Sequence, residues 1–220
     1  MGALILGCGS AVTSGDWRKL AASTASEPHE IPATPSRNDV DPLLEADGIE
    51  RLVVHGTDAD LAAVVLRLMR IERVTELPVG YVPVDRRQSA VARLWGLPAR
   101  TVDTALTGSV RPFPLVRDDA GGVLVGLGVL PAVRGTVYCD DTVALRGAAD
   151  RIEVVPHADF GVEVTVVRRG LLRSRTATFT GRAVQFGVDA TVPVRDGVDH
   201  PRAMTRWTWY RHTEDLRAIR

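Results

Sequence analysis

The alternation of strand and helix patterns in the first half of the chain is the feature that most constrains its fold. Short apolar runs typical of buried strands alternate with segments of helical periodicity. The runs lie at residues 3–6, 52–54 and 77–84, and the helical segments at 16–22, 60–74, 89–97 and 99–108. Because strands and helices in this order form parallel sheets with right-handed crossovers, an α/β domain is predicted.

The pattern changes at residue 109. From there the chain consists of short strands separated by turn residues, such as the hairpin whose turn lies at residues 118–122. The predicted fold class is therefore α/β plus all-β. A parallel-sheet α/β domain at residues 1–108 is followed by a β-sandwich domain at residues 109–220. Residues 23–42 are rich in Pro, Ser and Thr and are predicted to be loop, with a short strand near 29–33.

Composition excludes several classes of partner. The formal net charge is zero, which removes the simplest argument for binding nucleic acid. Lys19 is the only lysine among 27 basic residues, so no G-x-x-x-x-G-K-[ST] phosphate loop is present.

No apolar run approaches the roughly 20 residues of a membrane helix, and the apolar N-terminus lacks the basic start of a signal peptide. A cytoplasmic protein is expected.

Two loops that each follow a strand and precede a helix are candidates for a phosphate site. The first, GTDAD at residues 56–60, has one glycine where phosphate loops usually have several. It is either such a loop or a polar turn in which Asp58 or Asp60 caps the helix. The second, DRRQS at residues 85–89, is either a site where two arginines hold phosphate or a solvated surface turn.

Four segments, in order along the chain, resemble the diacylglycerol kinase family of lipid kinases. VVHGTDADLAAVV is similar to the family segment G-G-D-G-T-x-x-E-V-V, and LPVGYVPVDRRQSAVARLWGLP is similar to L-P-[LV]-G-x-x-P-x-G-T-x-N-x-x-A-R-x-L-G-[IL]-P. TVDTALTGSVRPFPLV resembles the helix and strand leading into the family's β domain. VRDGVDHPRAMTRWTWY resembles the late strand pair that carries its D-G-E triplet. The resemblance is to a divergent member, ordered over nearly the whole chain.

The resemblance implies a fold and a reaction. The family belongs with NAD kinase in one superfamily, with an α/β domain, a β-sandwich domain and ATP bound between them. It implies transfer of the γ-phosphoryl group of ATP, with Mg²⁺, to the hydroxyl of a lipid or small molecule. The implied partners are a nucleotide and such an acceptor, and a lipid acceptor implies peripheral contact with a membrane. No residue is assigned as a metal ligand.

The resemblance also assigns candidate site residues. Asp58 and Asp196 are the catalytic candidates. The nucleotide-binding candidates are Gly56, Thr57, Asp58, Asp60, Arg86, Arg87, Gln88 and Ser89. Asp196 and Gly197 match the D-G-E triplet while Val198 replaces its glutamate, which leaves Asp196 as the candidate general base. Asp-Gly is also a common hairpin turn, and that interpretation stays open.

The first loop departs from the family at three positions. Thr57 and Ala59 stand where the family has glycines, and Asp60 stands where it has a threonine. A carboxylate about 4 Å from a phosphate oxygen is repelled by roughly 4 kcal/mol at an effective dielectric constant near 20. Mg²⁺ or the guanidinium groups of Arg86 and Arg87 could reverse that repulsion.

Three functions are consistent with this pattern. The first is a diacylglycerol kinase-like enzyme with a degenerate phosphate loop and weak or lost activity. The second is a pseudokinase that binds nucleotide, lipid or protein without turnover. The third is a structural protein, for example one that forms a homodimer through its β domain.

Histidine and tryptophan residues offer weaker signals. The histidines at positions 55, 157, 200 and 212 show no metal-ligand spacing and are expected on the surface or in turns. Trp207 and Trp209 alternate along a strand, which is typical of core packing and, less often, of an apolar ligand cleft.

Overall fold

The computed structural model describes residues 2–23, 28–46, 48–170 and 173–220. They form two compact units, which consist of residues 1–113 with 214–220 and of residues 114–213. Part of the predicted loop at 23–42 lies outside the described residues. The predicted domains, 1–108 and 109–220, remain a prediction about which segments fold on their own.

The first unit is built from strands and helices in alternation. Its elements are β1 (Ala3–Cys8), a 3₁₀ helix (Gly9–Thr13), α1 (Gly15–Ser23), β2 (His29–Ile31), α2 (Arg37–Leu44), β3 (Arg51–Gly56), α3 (Asp58–Arg70), β4 (Val79–Pro83), α4 (Ala90–Leu94) and α5 (Thr101–Thr107). The strands pair in the order β2-β1-β3-β4, and every pair is parallel. The predicted parallel sheet is therefore confirmed.

Burial explains why these segments form strands and helices. The side chains of Leu52, Val53 and Val54 in β3 have no exposed surface, as expected for a strand with a covered sheet face on each side. Along α3, the residues at helical spacing that face the interior are Leu61, Val64, Val65 and Leu68. Met69, predicted on the same face, is half-buried.

Helix α2 was not expected, because its segment was predicted to be loop. Ser36 and Asp39 form a capping box at its start, where the Ser36 N–H donates to Asp39 Oδ2 at 2.8 Å. Val40 and Leu44 have no exposed surface, so burial of this face outweighs the loss of a backbone donor at Pro42 inside the helix. Because residues 23–42 are rich in turn-forming residues, the amphipathic helix α2 was not predicted.

The second unit is antiparallel. Its main strands are β7 (Gly128–Cys139), β8 (Thr142–His157), β9 (Gly161–Arg169), β10 (Ser174–Gly181), β11 (Ala183–Thr191) and the part of β14 (Met204–Ile219) that precedes residue 214. They pair in the order β10-β9-β8-β7-β11-β14. Shorter strands complete the unit, namely β6 (Val123–Leu124), β12 (Val194–Arg195), β13 (Val198–Asp199) and the end of β5 (Val110–Asp118). The molecule thus has parallel N-terminal strands, many antiparallel strands and few helices, as the predicted fold class requires.

Trp207 and Trp209 lie in the core of the second unit. Both are almost fully buried, and their rings meet edge to face with centroids 5.7 Å apart. Packing in the core is thus the role that the structure supports for this pair. Among the described residues, no helix is long and apolar enough to span a membrane.

Candidate functional site

The first predicted loop, residues 56–60, connects β3 to α3 and is closed by its own aspartate. Thr57 is the N-cap of α3, and its backbone N–H and its hydroxyl both donate to Asp60 Oδ2 at 2.8 Å. The Asp60 N–H donates in return to the Thr57 hydroxyl oxygen at 3.3 Å. This is a capping box with aspartate as its acidic member. The Thr57 N–H that a phosphate loop would offer to its ligand is therefore bound to Asp60.

The other oxygen of Asp60 ties this loop to its neighbour. The backbone N–H of Thr34, in the loop after β2, donates to Asp60 Oδ1 at 2.6 Å. Asp60 is only 3% exposed. A carboxylate so enclosed and so fully hydrogen-bonded stabilises the turn, and an incoming phosphate would have to displace it.

The two predicted loops meet at Asp58. Its Oδ1 accepts hydrogen bonds from the hydroxyls of Tyr81 at 2.9 Å and Ser89 at 2.5 Å. Its Oδ2 accepts from the backbone N–H groups of Ala90 at 2.7 Å and Val91 at 3.2 Å. A carboxylate offers about four acceptor positions, so these donors fill it. Asp58 joins α3 to the first turn of α4 and has little capacity left for a metal ion or an acceptor hydroxyl.

Tyr81 supports this arrangement by remaining protonated. Burial raises the pKa of the Tyr81 hydroxyl well above its usual range, and the negative charge of Asp58 raises it further. The hydroxyl thus stays a donor to Asp58, and it lies 3.1 Å from the carbonyl oxygen of Gly56.

In the second loop, Arg86, Arg87 and Gln88 are exposed. Its turn is closed by Asp85, which accepts from the backbone N–H of Arg87 at 2.9 Å. Ser89 is buried and caps α4 by accepting the Ala92 N–H at 2.9 Å. Of the predicted nucleotide-binding residues, the two arginines are thus exposed and Ser89 is part of the hydrogen-bond network around Asp58.

Asp196 belongs to the second unit, where it forms the turn between β12 and β13. Its carboxylate accepts from the backbone N–H groups of residues 125, 126 and 127 at 3.1, 2.7 and 2.9 Å. Asp196 and Gly197 both have positive φ, 48° and 88°, as a type I′ hairpin requires. These contacts support the hairpin-turn interpretation of Asp-Gly and occupy the oxygens that a general base would use.

Gly56 is needed for a packing reason that the sequence did not reveal. A Cβ at this position would lie 2.7 Å from Asp60 Oδ2 and 2.9 Å from Asp60 Cβ. The glycine therefore makes room for the aspartate cap.

We expect Gly56→Ala to destabilise the protein by about 2 kcal/mol, because the added methyl group displaces Asp60 from its buried hydrogen bonds. Gly15→Ala is the matched control, since its Cβ would meet only the end of the Arg18 side chain, at 4.0 Å. Urea unfolding of both variants measures the difference. Equal stabilities would contradict the role assigned to Gly56.

A pair that the sequence interpretation missed lies at the end of β3. His55 was expected on the surface or in a turn, and that prediction was wrong, because the residue is 1% exposed. Its Nε2 lies 2.7 Å from the hydroxyl oxygen of Ser14, and its Nδ1 lies 2.8 Å from the carbonyl oxygen of Val82. His200 is also buried, with its ring against Trp207. No spacing signal could have found the Ser14–His55 pair, since the two residues are 41 positions apart.

No metal centre accompanies these groups. Within the described parts of the chain, no cluster of three or more His, Cys, Asp or Glu side chains has the geometry to hold a metal ion.

The fold consists of an α/β unit with a parallel sheet, followed in sequence by an antiparallel β unit. Solved structures of two kinds of kinase share this fold. A diacylglycerol kinase from Bacillus anthracis str. Sterne matches with a TM-score of 0.65 and 11% identity, over 99% of this chain and 96% of that chain. A second structure, of a protein assigned as a diacylglycerol kinase from the same strain, matches with a TM-score of 0.70 at the same identity and coverage.

An NAD kinase from Archaeoglobus fulgidus, solved in complex with ATP, matches with a TM-score of 0.56 and 11% identity, over 100% of this chain and 94% of that chain. At such identities the likeness establishes the fold. No family model and no curated protein sequence matches the chain. The predicted resemblance to the diacylglycerol kinase and NAD kinase superfamily is therefore confirmed for the fold.

Proposed function

We propose that this protein is a diacylglycerol kinase-like protein whose ATP-dependent phosphoryl transfer to a lipid or small-molecule hydroxyl is weak or lost. The observation that carries the proposal is the hydrogen bonding of the first loop. Both oxygens of Asp60 and both oxygens of Asp58 are bound to groups of the protein itself.

Phosphoryl transfer depends on free donors that position phosphates and on carboxylates that hold Mg²⁺. In this chain the donor at Thr57 is bound to Asp60, and Asp58 caps α4. Asp196, the candidate base, accepts hydrogen bonds from residues 125–127. Losing several such elements costs several kcal/mol of transition-state stabilisation, which is enough to remove measurable turnover.

A pseudokinase that binds nucleotide without turnover is the second candidate, and the exposure of Arg86 and Arg87 favours it. Two guanidinium groups on one loop can hold a phosphate through side chains alone. On this proposal ATP, with Mg²⁺ carried by its phosphates, binds near residues 85–89. The protein itself supplies no metal site among its described residues.

Thermal unfolding with ATP·Mg²⁺ tests nucleotide binding. A nucleotide at ten times its Kd adds about 1.4 kcal/mol to the free energy of unfolding. We expect wild-type protein to be stabilised, and Arg86→Ala/Arg87→Ala to lose that stabilisation. The control double variant, Arg175→Ala/Arg206→Ala, removes two exposed arginines of the second unit and should respond as wild type does.

Transfer of labelled phosphate from ATP to diacylglycerol in mixed micelles tests turnover. We expect a rate far below the roughly 1–100 s⁻¹ of active kinases. A rate in that range that Asp58→Asn abolishes would overturn the proposal of weak or lost activity. Absence of any nucleotide effect at millimolar ATP, with and without lipid, would instead favour the purely structural protein.

A further inference from the structure

We propose that Ser14 is an activated nucleophile and that, with His55, it forms a site for the hydrolysis of small carboxylic esters. The proposal is independent of nucleotide binding. It rests on a hydrogen-bonded serine and histidine at the carboxyl ends of parallel strands, where ligand sites of α/β folds lie.

The orientation of the imidazole is set by the backbone. Nδ1 of His55 lies 2.8 Å from the carbonyl oxygen of Val82, and a carbonyl oxygen only accepts hydrogen bonds. Nδ1 therefore carries the proton. In the neutral ring, Nε2 then presents its lone pair to the Ser14 hydroxyl, 2.7 Å away. This is the nucleophile–base geometry of serine hydrolases, with a carbonyl oxygen orienting the base where those enzymes have a carboxylate.

The surroundings hold the pair rigid. The ring of Trp17 stacks on that of His55, with centroids 6.4 Å apart and planes 17° apart. The backbone N–H of Trp17 donates to the hydroxyl oxygen of Ser14 at 3.1 Å, which fixes the serine at the start of α1. His55 is almost fully buried, whereas Ser14 is partly exposed. A reagent, and the water that hydrolyses the acyl-serine, can thus approach the pair from the side of Ser14.

The first turn of α1 supplies groups for the developing oxyanion. The N–H groups at the first two positions of a helix, here Gly15 and Asp16, have no carbonyl partner within the helix. They follow the nucleophile directly, and the helix dipole favours negative charge there. The Asp16 carboxylate is offset by the Lys19 ammonium at 2.7 Å.

A cavity lies beside the first turn of α1, next to the nucleophile in the chain. Its volume is about 260 Å³, and its walls include Asp16, Lys19 and Arg100. Ser14 and His55 are not among its lining residues, so the choice of a small ester as substrate rests on the partial exposure of Ser14 and not on this cavity.

The reaction balances without a cofactor. Ser14 Oγ attacks the ester carbonyl and passes its proton to His55 Nε2, and this proton then protonates the departing alcohol. Water next attacks the acyl-serine, gives a proton to His55, and releases the acid while Ser14 regains its proton. The net reaction is ester plus water to acid plus alcohol.

An alkyl fluorophosphonate probe tests the assignment, because an activated serine oxygen displaces its fluoride and keeps the phosphonyl group. Trypsin releases residues 1–18 as one peptide, which contains Ser10, Thr13 and Ser14, and fragmentation then locates the label. We expect stoichiometric labelling at Ser14 and hydrolysis of p-nitrophenyl acetate at least tenfold faster than with Ser14→Asn.

Matched variants separate chemistry from folding. Ser14→Asn keeps a side-chain acceptor that can cap α1 but cannot be acylated. His55→Gln should reduce the labelling rate at least tenfold, whereas Ser10→Ala, at an exposed position of the preceding 3₁₀ helix, should leave it unchanged. Wild-type protein that stays unlabelled at Ser14 beside a labelled hydrolase standard overturns the proposal. So does labelling at Ser14 that His55→Gln does not slow.

Discussion

Replacing Asp58 with alanine is expected to lower the free energy of unfolding by about 4 kcal/mol. Hydrogen bonds to a charged group contribute ~1.5–3 kcal/mol each, and because Asp58 is half-buried, water replaces some of them. The donors left behind are two hydroxyls, of Tyr81 and Ser89, and the backbone N–H groups of Ala90 and Val91. Asp58→Asn should cost about half as much, because the amide keeps one acceptor oxygen. Urea unfolding followed by circular dichroism measures all three proteins.

Asp85→Ala is the control for Asp58. Asp85 also accepts backbone N–H groups in the second loop, but it is exposed, and water can replace it. Its loss should cost less than about 1 kcal/mol. If Asp58→Ala proves no more destabilising than Asp85→Ala, the Asp58 carboxylate is not a structural cap. Asp58 would then again be a candidate catalytic residue.

Replacing Asp196 with alanine is expected to destabilise the protein by about 3 kcal/mol, because the backbone N–H groups of residues 125–127 lose their acceptor and those of 125 and 126 are buried. The positive φ of 48° adds to the cost, since alanine is strained there. An asparagine side chain keeps an acceptor oxygen and tolerates the left-handed conformation, so Asp196→Asn should cost about 1 kcal/mol.

Asp199→Ala tests whether the effect belongs to the position. Asp199 lies in the same hairpin and is exposed, so its removal should change stability by less than about 0.5 kcal/mol. Thermal unfolding of the three variants measures this order. We expect the largest loss of stability for Asp196→Ala, a smaller one for Asp196→Asn and the smallest for Asp199→Ala. The reverse ordering would show that the 125–127 loop does not depend on the Asp196 carboxylate.

The sequence predicted the location of the loops better than their chemistry. Strand β3, the polar turn and helix α3 follow from a buried apolar run, a capping aspartate and 3.6-residue periodicity, all of which are local signals. The resemblance assigned Asp58 and Asp60 to nucleotide chemistry. Apart from Thr57, which forms the local capping box with Asp60, the partners of these carboxylates are Thr34, Tyr81 and residues 89–91, which are distant in sequence.

For Gly56, too, the sequence predicted the position of the residue in a loop but not its role. As a single glycine in a phosphate-type loop it suggested backbone approach to a ligand, yet its lack of a Cβ accommodates Asp60. A sequence indicates that a glycine is present, but the atom that occupies the vacated space depends on how the chain packs.

Local patterns determined the parallel sheet, the antiparallel second half and the positions of the two loops, because periodicity and turn residues act over a few positions. Only the tertiary structure decided that Asp58, Asp60 and Asp196 bind the protein's own N–H groups and hydroxyls. It also placed Ser14, which follows β1 in the chain, beside His55 near the end of the neighbouring strand β3. Hydrogen-bond partners far apart in sequence are brought together by burial of the whole sheet, which no local segment encodes.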